Sequence, residues 1–96
     1  MSMISDAIEA LEWKKHDDGY ELAKKICLIF LGSDGWFYKG DFFLHVEMCN
    51  NWENGVFNQV FVFNSDLTYQ CNFMIKDDKL DQISKQIDCC IESFNF

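Results

Sequence analysis

Residues 35–75 constrain this chain more than any other part of it. Four runs rich in apolar residues are separated there by three short clusters of Gly, Asn, Asp and Ser, the pattern of antiparallel strands joined by tight turns. Trp36, Phe37 and Tyr38 form the first run, after which Lys39, Gly40 and Asp41 turn the chain, glycine supplying the positive φ that a hairpin requires. In residues 42–49 the even positions Phe42, Leu44, Val46 and Met48 are all apolar, whereas Phe43, His45, Glu47 and Cys49 are mixed. That alternation predicts a half-buried strand. Asn54 and Gly55 give the strongest local signal, a type I′ turn with both central residues at positive φ. Residues 56–63 follow, with Phe57, Phe61 and Phe63 on one side and Val56, Val60 and Val62 on the other. Either this strand is central and covered on both sides, or its valine side is a patch that awaits a partner. In residues 67–75, Leu67, Tyr69, Cys71, Phe73 and Ile75 alternate with Thr68, Gln70, Asn72 and Met74, so one side is core and the other meets water.

Helical spacing flanks these runs. Ile4, Ile8, Leu11 and Lys15 recur at intervals of three and four behind Ser2 or Ser5 as a cap, and Gly19 stops or bends the helix they predict. Residues 20–31 read as a second helix on Leu22, Ile26, Ile29 and Phe30, with Gly32 just past its end; the apolar run within them also fits a buried strand, which would be the fifth. Asp77 or Asp78 caps a last helix whose stripe of Leu80, Ile83, Ile87, Cys90, Ile91 and Phe94 is expected to pack on Tyr69, Cys71 and Phe73. The whole predicts an α+β fold in one domain over residues 1–96. It is an antiparallel meander of about four strands flanked by N-terminal helices and one C-terminal helix.

Sixteen acidic residues face eight basic ones, all lysine, for a net charge of -8. Phosphate binding needs cations, and arginine is the commonest base-reading side chain, so direct nucleic-acid binding is not expected. Acidity favours a basic partner instead. The five cysteines, at 27, 49, 71, 89 and 90, show neither CxxC spacing nor a paired framework, which predicts reduced, mostly buried thiols and a cytoplasmic protein. The start carries acids where a signal peptide has a basic region. The longest apolar run, residues 26–31, is far short of the roughly 20 residues that cross a bilayer, so no membrane association is expected.

No reaction motif stands out. His45, Glu47 and Cys49 share one strand face, but residues two apart on a strand lie roughly 6 to 7 Å from each other, too far to chelate one ion unaided. A polar sheet face is the reading, and no metal or cofactor is expected. There is no GxSxG elbow, no Cys/His signature and no phosphate loop, so the chain is not expected to be an enzyme. What remains is a binding surface. Asp34, Asp41, Glu47 and Glu53 are interleaved with Trp36, Tyr38, Phe43 and Trp52, and aromatic anchors ringed by charge are the composition of interface hot spots.

A compact acidic domain of this length without catalytic residues resembles the bacterial immunity proteins that neutralise a cognate toxin, including those of contact-dependent inhibition systems. The resemblance lies in size, charge and style and assigns no residue. It implies a cytoplasmic protein that binds a basic, nuclease-like toxin domain and covers or distorts its active site. The other expectation is a non-catalytic adaptor, of phage or host, or a homodimer that pairs through an open sheet edge or the valine side of the third strand.

Overall fold

A computed structural model of the chain describes residues 3–26 and 34–94. Its elements run α1 (Met3–Ala10), β1 (Lys14–Lys15), α2 (Gly19–Lys25), β2 (Trp36–Lys39), β3 (Phe42–Asn51), β4 (Gly55–Phe63), β5 (Gln70–Ile75), a 3-10 segment (Asp77–Gln82) and α3 (Ile83–Ser93). The five strands form one antiparallel sheet in sequence order, an open meander, and the fold is α+β.

Strand alternation sorts the side chains onto two faces, and helices cover both. Phe37, Leu44, Val60, Val62 and Ile75 are buried on one face beneath Ile4 and Ile8 of α1 and Ile83, Ile87 and Cys90 of α3. Trp36 and Phe63 are buried on the other with Leu22 and Ala23 of α2, and Phe43, Phe61 and Leu67 pack against them. β4 is therefore the covered central strand of the two alternatives. Val60 and Val62 have no exposed surface, so the valine side offers no partner those two residues.

α1 is shorter than its spacing suggested. Its chain leaves the helix at Glu12, whose φ is +72. Glu12 N–H donates to the Glu9 carbonyl at 2.9 Å and Trp13 N–H to the Ile8 carbonyl at 3.4 Å. This pair of bonds is the Schellman exit, usually made with glycine, and the apolar contact it favours is supplied by Trp13 and Ile8 in one core. The exit redirects Lys14 and Lys15 onto β2, opposite Tyr38 and Phe37, as a short fifth strand. Gly19, expected as a stop, instead opens α2. The helical reading of residues 20–31 holds through Lys25; the strand alternative and the Gly32 cap lie outside the described residues.

The last two turns also depart from expectation. Asn51 pairs with Gly55, so residues 52–54 form a three-residue loop. Gly55 has φ +66, but Asn54 is not at positive φ, and its N–H is held by the Asn51 Oδ1 at 2.7 Å. The turn is not type I′; it has the pattern of a three-residue loop closed by a left-handed glycine. β5 begins three residues later than its alternation suggested. Leu67 has φ +64, and Asn64 accepts the Tyr69 N–H at 2.8 Å while donating to Asp66 at 2.8 Å and Thr68 at 3.0 Å. These local bonds replace ladder pairing. Tyr69 is half exposed and does not join the core under α3; Cys71 and Phe73 do. Nor does Asp77 cap one long helix. Its carboxylate accepts a 2.9 Å bond from Asn58 Nδ2, and a 3-10 turn precedes α3.

Candidate functional site

β3 has ten residues and β2 four, so the two strands end at different places. β2 pairs with residues 42–45 and adds one bond beyond them, Val46 N–H to the Gly35 carbonyl at 2.9 Å. Gly35 has φ +76, and a Cβ there would lie 2.6 Å from the Val46 carbonyl oxygen, so only glycine fits at this departure. β4 accompanies β3 to Asn51. β3 therefore runs on past β2; β5 still backs β4 as far as Asn58, opposite Met48, and beyond that residues 49–51 and 55–57 project as a two-stranded arm.

The arm and its base carry exposed apolar side chains. Trp52 is fully exposed in its loop, Met48 is 64% exposed and Val56 60%. In the register, Met48 lies opposite Asn58 and Val56 opposite Asn50, so Met48 and Val56 are diagonal neighbours on the face of α1 and α3, outside the cover of both helices. Glu53 adjoins Trp52 in the loop. Glu47, half-buried, points to the opposite face.

His45 sits where β3 runs on past β2. It is only 1% exposed, between Trp36 and Phe61 at ring-centroid distances of 4.6 and 6.0 Å. Its Nε2 is 3.4 Å from Glu47 Oε1, and its Nδ1 is buried without a hydrogen-bond partner among the described residues. Burial lowers the imidazole pKa below the ordinary 6.5, and Glu47 only partly offsets this. At neutral pH the ring is uncharged. Cys49 Sγ–H donates to the Glu47 carbonyl oxygen at 3.9 Å. Among the described residues no three metal-ligating side chains converge.

The residues singled out in the sequence are not brought together as one cluster. Trp36 is 2% exposed and stacks on Phe63 at 5.6 Å, a core residue and not a surface anchor. Tyr38 and Phe43 flank His16 edge-on, each at 5.8 Å, at the β2–β3 end of the sheet. Asp41 occupies the turn at that end. Trp52 and Glu53 occupy the turn at the other end, and ten strand residues separate the two by about 30 Å. Asp34 joins Glu47 and His45 around a cleft of about 380 Å³ beside Gly35. Three separate surfaces thus replace one. Sequence spacing missed Met48, which falls on the apolar phase of its strand and reads as core; of the valine side left open as a patch for a partner, only Val56 is exposed.

Among the described residues Cys49, Cys71, Cys89 and Cys90 are free thiols, and of these Cys90 alone is buried, not most of them as expected. No helix among the described residues is long and apolar enough to cross a membrane. The fold and surface define an acidic α+β meander domain with a projecting two-stranded arm. No protein-family model matches the chain, and neither do curated proteins or solved structures.

Proposed function

We propose that this chain is a small acidic cytoplasmic protein that binds a cognate toxin domain of basic, nuclease-like character and neutralises it by covering or distorting its active site. The observation that carries this reading is the end of the arm. A fully exposed tryptophan stands beside Glu53, with exposed Met48 and Val56 nearby, on a chain of net charge -8. A large rigid aromatic with apolar neighbours and an acidic rim matches the composition of binding hot spots, and complementary charge speeds encounter with a basic partner. The test is to look for a basic, toxin-like domain in the neighbouring reading frames and to co-express it with this chain. The wild-type chain is expected to restore growth, and Trp52→Ala with Glu53→Gln to lose protection while remaining folded. Growth arrest that the wild-type chain leaves unchanged refutes the reading.

A second reading, a homodimeric adaptor, is favoured by β5. Gln70–Ile75 carries no charged residue and no described strand lies outside it, so this edge lacks the charges that usually block pairing. Sedimentation separates the readings: a dimer lost on Asn72→Lys supports the adaptor, and a monomer at every concentration excludes it.

A further inference from the structure

We propose that the outer edge of β3, residues 47–51, is a strand-addition site for a basic, extended segment of another protein, with a cationic side chain of that segment received between Asp34 and Glu47. This rests on the reading of the chain as a protein-binding module and names how the partner is held.

The backbone supplies the first argument. Val46 N–H points toward β2, since it bonds the Gly35 carbonyl. Backbone groups alternate sides along a strand, so Met48 and Asn50 present their N–H and C=O groups to that same side. β2 has already left, turned away at Gly35, and no described residue pairs with them. Such a row of unpaired groups is a template for another strand, and proteins usually blunt it with proline, lysine or a covering loop. Residues 48–51 are Met, Cys, Asn and Asn and contain none of these side chains. An incoming extended segment would gain main-chain bonds along Met48 and Asn50, and alternate side chains would give it selectivity.

Charge selects the occupant. The cleft where β2 departs from β3 is bordered by Asp34 and Glu47, with Ser5, Gly35, His45 and Met48 completing it. His45 is buried there with Nδ1 unpartnered among the described residues, and it is uncharged at neutral pH, so it brings no positive charge to this cleft. A Lys or Arg side chain of an added strand meets two carboxylates there. Exposed Met48, Trp52 and Val56 lie farther along the arm, within reach of apolar residues on the same segment. A second copy of this chain is a poor occupant, because it brings a further net charge of -8 to an acidic edge.

The test uses the full chain, isotopically labelled, and a blocked heptapeptide of alternating Lys and Val, with a Glu and Val peptide as control. The Lys peptide is expected to slow amide exchange at Met48 and Asn50 and the Glu peptide to leave it unchanged. Asn50→Pro deletes an outward N–H that no described residue uses, so the fold should persist by circular dichroism while affinity for the Lys peptide falls about tenfold. Asp34→Asn with Glu47→Gln should weaken binding about fivefold and flatten its salt dependence. Protection at Gln70–Ile75 instead, equal binding of the two peptides, or protection of Met48 and Asn50 in a peptide-free dimer overturns the proposal. If Asn50→Pro unfolds the chain, the wild-type exchange pattern alone decides. Binding at this edge without toxin neutralisation would keep the site and discard the neutralising function. Neutralisation that survives Asn50→Pro in a folded chain would do the reverse.

Discussion

Gly35→Ala tests whether the departure of β2 from β3 is built on a close backbone approach. Two costs add. The residue sits at φ +76, and an alanine held in the left-handed region costs roughly 1–2 kcal/mol. Its Cβ would also stand 2.6 Å from the Val46 carbonyl oxygen, a backbone atom that cannot rotate away. Relief requires the strands to part where Val46 N–H bonds the Gly35 carbonyl at 2.9 Å, and losing that bond costs about 1 kcal/mol more. The sum is roughly 2–3 kcal/mol. Gly55→Ala is the internal control, because Gly55 has φ +66 but no atom within 4 Å of its would-be Cβ; it should cost only the φ penalty, roughly 1–2 kcal/mol. Urea unfolding followed by tryptophan fluorescence measures both, Trp36 being buried next to the substitution. The φ cost is common to both variants, so with a slope of about 1 kcal/mol per molar urea the two midpoints should differ by about 1 M. Equal losses for the two variants would refute the close approach.

Glu12→Gly should stabilise the chain by about 1 kcal/mol in the same assay, because glycine occupies φ +72 at a Schellman exit without the side-chain penalty. Asn58→Asp should destabilise by about 3 kcal/mol, a fall in melting temperature of roughly 15 °C, because Asn58 Nδ2 donates to the Ile75 carbonyl at 3.0 Å and to Asp77, and a carboxylate there would face two acceptors. The lowered pKa of His45 fixes the sign of a pH effect. Between its folded value and about 6.5 the unfolded chain binds the proton and the folded chain does not, so stability falls as pH drops below about 6.5, by at most ~1.4 kcal/mol per pH unit. His45→Gln should flatten the wild-type slope between pH 7 and pH 5 in urea titrations, whereas parallel slopes for the two chains would exclude His45 as its origin.

The strands and α3 were legible because their periods of two and 3.6 extend over enough residues to identify them, and burial follows those periods. What the sequence hid depends on single residues acting out of type. Glu12 takes a position usually held by glycine, and with it came the unforeseen β1, two exposed lysines carried onto the sheet by the anchored Trp13. Asn64, Asp66 and Thr68 close a local network that removes Leu67 and Tyr69 from β5 despite their perfect alternation. The candidate surface failed for a different reason. Trp36 and Trp52 are alike in composition, but one lies on the strand phase beneath α2 and the other in a loop beyond every helix. Asp41 and Glu53 are twelve positions apart in a sequence whose intervening strand carries them to opposite ends of the sheet. Strand length times rise per residue was enough to foresee that separation.

Stability alone does not require the arm. Past His45 and Phe61, the β3–β4 ladder buries Phe57 and Asn58 but leaves Met48, Trp52 and Val56 in water. Exposed apolar groups contribute little to burial, and an edge that no described residue covers invites aggregation, so shortening the arm should cost the fold little. Cys49 and Phe57 lie directly opposite each other, on the phase of β3 that bonds β4, so an Asn-Gly pair replacing residues 50–56 suits a two-residue hairpin between them. The shortened chain should unfold within about 1 kcal/mol of the wild type, because the residues removed are exposed apart from half-buried Asn54, and Phe57 is retained. It should lose binding of the Lys and Val peptide along with Trp52 and the Asn50 edge. A loss of several kcal/mol would instead make the arm part of the core structure, and its exposed side chains would then carry no argument for recognition.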